Sequence, residues 1–210
     1  MYQAMYPVIV DKAKGAAIKM LQKDDYSASP YLNRDVVENF ISYINNSTYF
    51  KLTDENVLGL LYLALTYHEV PLEVTLMIYI DKKHDQFIKN YLERYLDGPV
   101  DIVFEKIIGK YFEEYMGKKE VHSFPTESLL RILNVYLAEN QITREIIEFL
   151  LLQLSGKGEE ASLLFSVVNV SQYEDHLLNQ LDMYRDVFNP CFLKKEHFFY
   201  MLDKIKDDFS

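Results

Sequence analysis

The stretch from Thr53 to Pro71 constrains the fold most strongly, because its two ends and its interior predict the same helix. Thr53 can accept a backbone hydrogen bond as an N-cap, and Asp54 and Glu55 place negative charge at the positive end of the helix dipole. The body of the stretch is apolar, and Pro71 cannot continue a helix. We therefore predict a helix that begins at Thr53 and ends at Pro71.

Apolar residues recur at helical spacing through most of the remaining chain, and glycine, proline and capping residues separate the periodic segments. The segment 72–80 is almost continuously apolar, and its place after a short break favours a second, antiparallel helix over a buried strand. About ten helices follow from these patterns, with short connections typical of antiparallel neighbours. Besides 53–71, they are 14–22, 34–43, 72–80, 84–96, 100–116, 125–137, 144–154, 159–168, 172–188 and 193–205.

The N-terminal part is the least periodic, and its residues 6–10 form a β-favouring run that could be a strand. Any β contribution is confined to the first 50 or so residues. The predicted fold class is therefore mainly α, a compact multi-helix bundle of about ten helices with a small β contribution near the N-terminus. A repeat of helix pairs near 40 residues is an alternative, although no signature recurs at a fixed period.

The composition excludes several classes of partner and location. A formal net charge of -10 without a basic cluster would repel phosphate backbones, so nucleic acid is not an expected partner. The longest apolar runs, such as 146–152, fall short of the roughly 20 residues that a membrane span requires. The single Cys191 cannot form an internal disulfide and is predicted to be a buried thiol. We expect a soluble, cytoplasmic protein that contacts no membrane.

Residues 37–80 contain three segments in a fixed order. A segment with Phe and Tyr-Ile comes first, a short polar stretch follows, and an apolar helix with Thr, Glu and Asn at its start comes last. The residues are Phe40, Tyr43, Ile44, Leu52, Thr53, Glu55, Asn56, Val57, Leu60, Leu61, Leu63 and Ala64. This order resembles the second half of a BTB (POZ) domain. The small residues Gly59 and Ala64 lie where two helices of such an arrangement would approach closely.

The later segment resembles the BACK-like helical extension that follows many BTB domains, as in protist families of BTB-like and ankyrin proteins. The resemblance rests on the run 161–165, Ala-Ser-Leu-Leu-Phe, and on Asp182, Tyr184, Asp186, Phe188 and Asn189. It implies a BTB-like module over 1–82 and a BACK-like extension over 83–210. It further implies an adaptor that binds a protein partner, by analogy a ubiquitin-ligase component, and that can form a homodimer.

Residues that could carry chemistry have simpler structural interpretations. Adjacent helical residues such as His68 and Glu69 point about 100° apart and do not share a substrate easily. The other histidines lack ligand partners at helical spacing, so no metal is expected. The segment 156–158, Gly-Lys-Gly, follows a helix and not a strand, which favours a turn over a phosphate loop. We predict no catalytic residue, no metal and no cofactor.

Aromatic residues are abundant and favour protein interfaces when they are exposed. The predicted C-terminal helix has apolar residues on more than one face, and its Phe198, Phe199, Tyr200 and Leu202 are the predicted partner-binding residues. The predicted function is therefore a non-enzymatic protein-protein interaction module, an adaptor or scaffold. The alternative is a helical enzyme or small-molecule-binding protein with a pocket inside the bundle.

Overall fold

The computed structural model describes residues 2–95, 99–167, 183 and 186–187. Within these residues the secondary structure comprises ten α-helices and one 3-10 helix, and it includes no β-strand. The prediction of a mainly α-helical chain is confirmed. The predicted helix 193–205 and nearly all of 172–188 lie outside the described residues, and so does Cys191.

The chain divides into two compact units, Met1–Asn90 and Tyr91–Ser210. The sequence places its boundary after residue 82, at a polar turn between two helices. The identity of the two parts as BTB-like and BACK-like modules stays a prediction.

Five helices begin in the first unit, and their apolar faces form its core. They are α1 (Tyr2–Lys23), α2 (Arg34–Ile44), α3 (Val57–Tyr67), α4 (Val70–Asp81) and α5 (His84–Leu92). The side chain of Asn33 accepts a hydrogen bond from the Val36 amide at 3.0 Å and caps α2. Helix α2 packs against α1, and α3 packs against α2 and α4. The fully buried side chains include Ala13, Ala17, Val37, Phe40, Leu60, Leu61, Leu63, Leu72, Leu76 and Ile80.

The predicted strand at residues 6–10 is wrong, because this run lies inside α1. A lone strand leaves its backbone donors and acceptors unpaired, whereas a helix satisfies almost all of them within the segment. The helix also continues through Ala13 and Ala17, which are fully buried. The packing of α1 through Ala13 and Ala17 outweighs the local β preference of the run 6–10.

The helix predicted over 53–71 is shorter at both ends than its sequence pattern indicates. Helix α3 begins at Val57, and the Thr53 amide donates to the Asn56 side chain at 3.0 Å within a preceding turn. The helix ends at His68, which adopts a left-handed backbone with φ 57° and ψ 37°. Pro71 does not end this helix. It lies in the first turn of α4, where a missing backbone donor costs little.

Helices α3 and α4 run antiparallel, as predicted. Asp54, just before α3, accepts a hydrogen bond from the Tyr79 hydroxyl at 2.7 Å, and Lys83 Nζ donates to both Asp54 carboxylate oxygens at 2.7 Å. Tyr79 and Lys83 lie at the far end of α4. The end of one helix therefore meets the start of the other.

Gly59 permits a close approach of backbone to backbone inside the first unit. A Cβ atom at this position would lie 2.3 Å from the carbonyl oxygen of Tyr31 and 2.8 Å from Cγ1 of Val36. No side chain fits at these distances without movement of the Tyr31 backbone. Gly59 does lie at a close approach, as expected, but its nearest neighbour is the backbone of Tyr31 in the loop before α2 and not a second helix.

The second unit contains five α-helices and a 3-10 helix. They are α6 (Ile102–Lys110), α7 (Phe112–Tyr115), α8 (Lys119–Ser123), α9 (Thr126–Leu137), α10 (Arg144–Lys157) and the 3-10 helix Gly158–Val167. The single helix predicted over 100–116 is interrupted at Tyr111, which has φ -114° and ψ 28°. Gly156 and Lys157 belong to α10, so only Gly158, with φ 66°, forms the predicted break.

Helix α6 packs tightly against α9. A Cβ atom on Gly109 would lie 2.6 Å from Cβ of Val135, so glycine sets this separation. Arg131 on α9 donates from Nε and Nη2 to the two carboxylate oxygens of Glu105 on α6, at 2.7 and 2.8 Å. Glu105 is buried, and a bidentate partner is what makes burial of its charge tolerable.

Candidate functional site

The predicted partner-binding residues Phe198, Phe199, Tyr200 and Leu202 lie outside the described residues. Their role in binding therefore stays a prediction. Other aromatic residues of the second unit pack within it. Tyr91 stacks on Phe104 with ring centroids 3.8 Å apart, and Tyr95 meets Phe124 edge to face at 4.8 Å. These rings contribute to the core and are not free for a partner.

The candidate functional site is an apolar face on α4 in the first unit, which consists of Val70, Val74 and Ile78. These side chains are 39%, 53% and 57% exposed. Residues four apart lie on the same side of a helix, so the three form one stripe over more than two turns. We call this stripe the α4 face.

The opposite side of α4 explains why this face is unusual. Leu72, Leu76 and Ile80 are fully buried and hold α4 against the core. A helix with one buried side normally carries polar residues on the other. Helix α4 carries valine and isoleucine there as well. Contiguous exposed apolar residues are common at surfaces that bind other molecules, which makes the α4 face the candidate site.

The charged residues within α4 are acidic, whereas its C-cap Lys82, four residues after Ile78, adds a positive charge at the C-terminal end of the stripe. Helix α4 contains Glu73 and Asp81 and no lysine or arginine. On a helical wheel Asp81 falls beside Val74, at the C-terminal end of the stripe, and Glu73 lies toward its flank. An apolar stripe bordered by carboxylates complements a helix whose own apolar stripe is bordered by basic residues.

A second group of polar residues lies in the second unit, where α8 meets α10. Gln153, only 3% exposed, donates through Nε2 to Nδ1 of His122 at 2.8 Å. The His122 ring also packs on Phe149, with centroids 5.0 Å apart. Lys157 donates through Nζ to the carbonyl oxygen of Phe124. These contacts tie together the end of α8, the following turn and the last two turns of α10.

Burial makes this group electrostatically unusual. Desolvation, followed by the nearby charge of Lys157, lowers the pKa of His122. Desolvation also lowers the pKa of Lys157, and the charge of Glu160 partly opposes that effect. Lowered pKa values on a histidine and a lysine are typical of general bases. Here each group contacts a core amide or a backbone carbonyl, which favours a role in holding the helices together.

The neighbouring residues His68 and Glu69 lie in different environments. His68 is exposed at the end of α3, whereas Glu69 is buried before α4. Among the residues that the structure describes, no group of three or more His, Cys, Asp or Glu side chains could hold a metal ion. Within the same residues, no helix combines the length and apolar character needed to cross a membrane.

No protein-family model matches this chain, and the comparisons with curated proteins and with solved structures also give no match.

Proposed function

We propose that this chain is a non-enzymatic protein-protein interaction module that binds a protein partner through the α4 face. The observation that carries the proposal is the exposure of Val70, Val74 and Ile78 on a helix whose other side is already packed into the core. Burying such side chains contributes roughly 25 cal/mol for each Å² of apolar surface removed from water. A partner that covers the stripe therefore gains affinity without any rearrangement of the first unit.

The proposed partner element is an amphipathic helix with basic residues beside its apolar stripe. Its apolar side chains would lie along Val70, Val74 and Ile78, and its basic side chains would approach Glu73 and Asp81. The formal net charge of -10 favours the same partner, since long-range attraction speeds the association of oppositely charged proteins. Two copies of this chain would instead repel each other at long range through their net charge.

The resemblance of residues 37–80 to a BTB domain supports an adaptor role and a cytoplasmic location, and by analogy a ubiquitin-ligase component as one partner. This part of the proposal rests on likeness of pattern alone. The resemblance to a BTB domain implies no contact on the α4 face. The adaptor role and the binding through the α4 face can therefore fail independently.

The proposal can be tested by placing a photo-crosslinking amino acid at position 78 of the full chain and irradiating native cells. The matched control carries the same amino acid at position 152, because Leu152 is 61% exposed on a helix of the other unit. We expect a protein that crosslinks from position 78 and not from 152, with the crosslink in a basic amphipathic helix. The absence of a position-specific product contradicts the proposal, and a crosslink to a second copy of the chain contradicts the basic partner.

A further inference from the structure

The side chains of Gln153 and His122 form a polar contact that joins α10 to α8 in the second unit. Nε2 of Gln153 lies 2.8 Å from Nδ1 of His122, and the Gln153 residue is buried. The other polar atom of this amide, Oε1, is also buried and has no hydrogen-bond partner among the described residues. A buried carbonyl oxygen without a partner is costly, so a hydrogen bond that satisfies it would stabilise the junction.

Protonation of Nδ1 would place two hydrogen-bond donors against each other. An amide nitrogen can only donate, and a protonated imidazole donates from both of its nitrogens. Two N–H groups that point at each other cannot keep their nitrogen atoms 2.8 Å apart without strong repulsion. Uptake of a proton by His122 therefore requires either that the Gln153 amide turn or that α8 move away from α10.

A turn of the amide is the smaller of these two changes. Rotation by about 180° around the last side-chain bond of glutamine exchanges its oxygen and nitrogen within nearly the same volume, and this torsion is roughly two-fold. Movement of α8 would instead disturb Val121 and Phe124, which are fully buried in α8 and directly after it. It would also separate the His122 ring from that of Phe149. The packing of α8 therefore favours rotation of the amide.

The rotated amide supplies what the protonated ring needs. Oε1 of Gln153 then accepts the hydrogen bond that Nδ1 of His122 donates, and a hydrogen bond from an ionised donor is roughly twice as strong as a neutral one. The oxygen that lacks a partner beside the neutral ring thus becomes the acceptor beside the charged ring. Glutamine suits both states because its amide carries a donor and an acceptor on one plane.

The groups that surround the His122 ring set when this change occurs. Those that face the ring from α10, lie along α8 or act through Lys157 are Phe149, Gln153, Lys157, Lys119, Glu120 and Glu160. Burial, followed by the positive charge of Lys157, lowers the pKa of His122, so the ring takes up its proton only in acid. The junction therefore has a neutral ring at neutral pH and a charged ring at lower pH.

We propose that the junction of α8 with α10 is a proton-driven switch, in which protonation of His122 at Nδ1 turns the side-chain amide of Gln153. In the neutral state Nε2 of Gln153 donates to Nδ1, and in the protonated state Nδ1 donates to Oε1. The proton comes from water, which reaches the ring because His122 is only half-buried, and no other covalent bond changes. The switch lies in the second unit and does not depend on the function proposed for the α4 face.

The substitution Gln153→Met distinguishes an amide that turns from one that is fixed, because methionine has nearly the same length and lacks both the donor and the acceptor. If the amide turns, Gln153→Met removes a charge-assisted hydrogen bond and should raise the acid dissociation constant of His122 by about threefold or more. If the amide is fixed, its N–H₂ group repels the protonated ring, and the same substitution should lower that constant. A lower or an unchanged constant overturns the proposal.

The acid dissociation constant is measured in the full chain by pH titration of the His122 ring signals in NMR, with His122→Gln to assign those signals. Gln86→Met makes the same change at an exposed glutamine of α5 and should leave the constant unchanged. A His122 ring that stays neutral until the chain unfolds also overturns the proposal.

A measurement on the native chain decides the proposal even if Gln153→Met does not fold. Nuclear Overhauser effects between the Gln153 side-chain amide protons and the His122 ring should weaken when the ring becomes protonated, because the N–H₂ group turns away. Those between the rings of His122 and Phe149, whose centroids lie 5.0 Å apart, should persist because α8 stays packed. Unchanged effects from the amide protons, or loss of the effects from Phe149, overturn the proposal.

Discussion

Nε2 of Gln153 lies 2.8 Å from Nδ1 of His122, and since an amide nitrogen can only donate, this contact suits a neutral ring with its proton on Nε2. Burial and the positive charge of Lys157 also favour the neutral ring, and both lower the pKa of His122. Lys157 faces His122 from α10, and Glu160 on the 3-10 helix acts on Lys157. The junction of α8 with α10 is therefore built around an uncharged histidine.

A histidine whose pKa is lower in the folded state than in the unfolded state makes folding less favourable in acid. The unfolded chain takes up a proton near its ordinary pKa of about 6.5, and the folded chain does so only at lower pH. The free energy of unfolding should therefore fall as the pH decreases through about 6.5, and level off below the folded pKa.

The variant His122→Gln should show a smaller loss of stability between about pH 7.5 and 5.5 than the native chain, because it lacks this titration. Urea unfolding followed by circular dichroism at several pH values measures the difference. His68→Asn, at an exposed histidine, serves as the control for loss of an imidazole. The same pH dependence in His122→Gln and in the native chain would show that His122 does not titrate differently on folding.

The close packing around Gly59 gives a second prediction. Gly59→Ala places a methyl group 2.3 Å from the Tyr31 carbonyl, so the loop before α2 must move, and we expect a loss of about 1–3 kcal/mol of stability. Gly15→Ala is the control, because nothing lies within 4 Å of its Cβ and helix propensity should raise stability by about 0.5–1 kcal/mol. Urea unfolding of both variants tests the pair. Unchanged stability in Gly59→Ala, or a gain like that of Gly15→Ala, would contradict the close approach at Gly59.

Thr126 offers a substitution that should stabilise the second unit. Its buried Oγ1 has no hydrogen-bond partner among the described residues, and Thr126→Val replaces it with a methyl group of similar size. Removing an unsatisfied buried hydroxyl should raise stability by about 1 kcal/mol. Thermal unfolding measures this change.

The same replacement at Thr143 should have the opposite sign. Thr143 Oγ1 accepts a hydrogen bond from the Ile146 amide and caps α10, so Thr143→Val should lower stability by about 1 kcal/mol. The two Thr→Val changes thus remove hydroxyl groups of opposite kinds, one without a described partner and one that caps a helix. Equal effects of the two changes would contradict the assignment of Thr126.

Sequence patterns predict most helices of the described chain because period and capping act locally. The cap at Thr143 and the helix through Leu137 follow directly from neighbouring residues. The errors arise where a particular side-chain contact or packing between distant segments decides. The Thr53 backbone amide donates to Asn56 instead of lying at a helix cap, and the β-favouring run of residues 6–10 joins a helix that is buried farther along.

The candidate site is harder to predict from the sequence than the fold is. A valine or isoleucine in a helix is usually a core residue, so the nearly continuous apolar run 72–80 predicts a buried segment. Only the tertiary structure shows which apolar residues of α4 remain exposed. Likewise, Glu69 follows His68 in an ordinary helix break, and only the tertiary structure shows that it is buried.

The central claim is that the α4 face binds a protein partner, and the affinity of the purified crosslinked partner tests it most directly. Isothermal titration calorimetry can compare the native chain with Val74→Glu and with Leu152→Glu, a matched change at an exposed leucine. The account predicts at least about a tenfold loss of affinity for Val74→Glu and little change for Leu152→Glu, with binding that weakens as salt increases. Unchanged affinity in a folded Val74→Glu variant would contradict it.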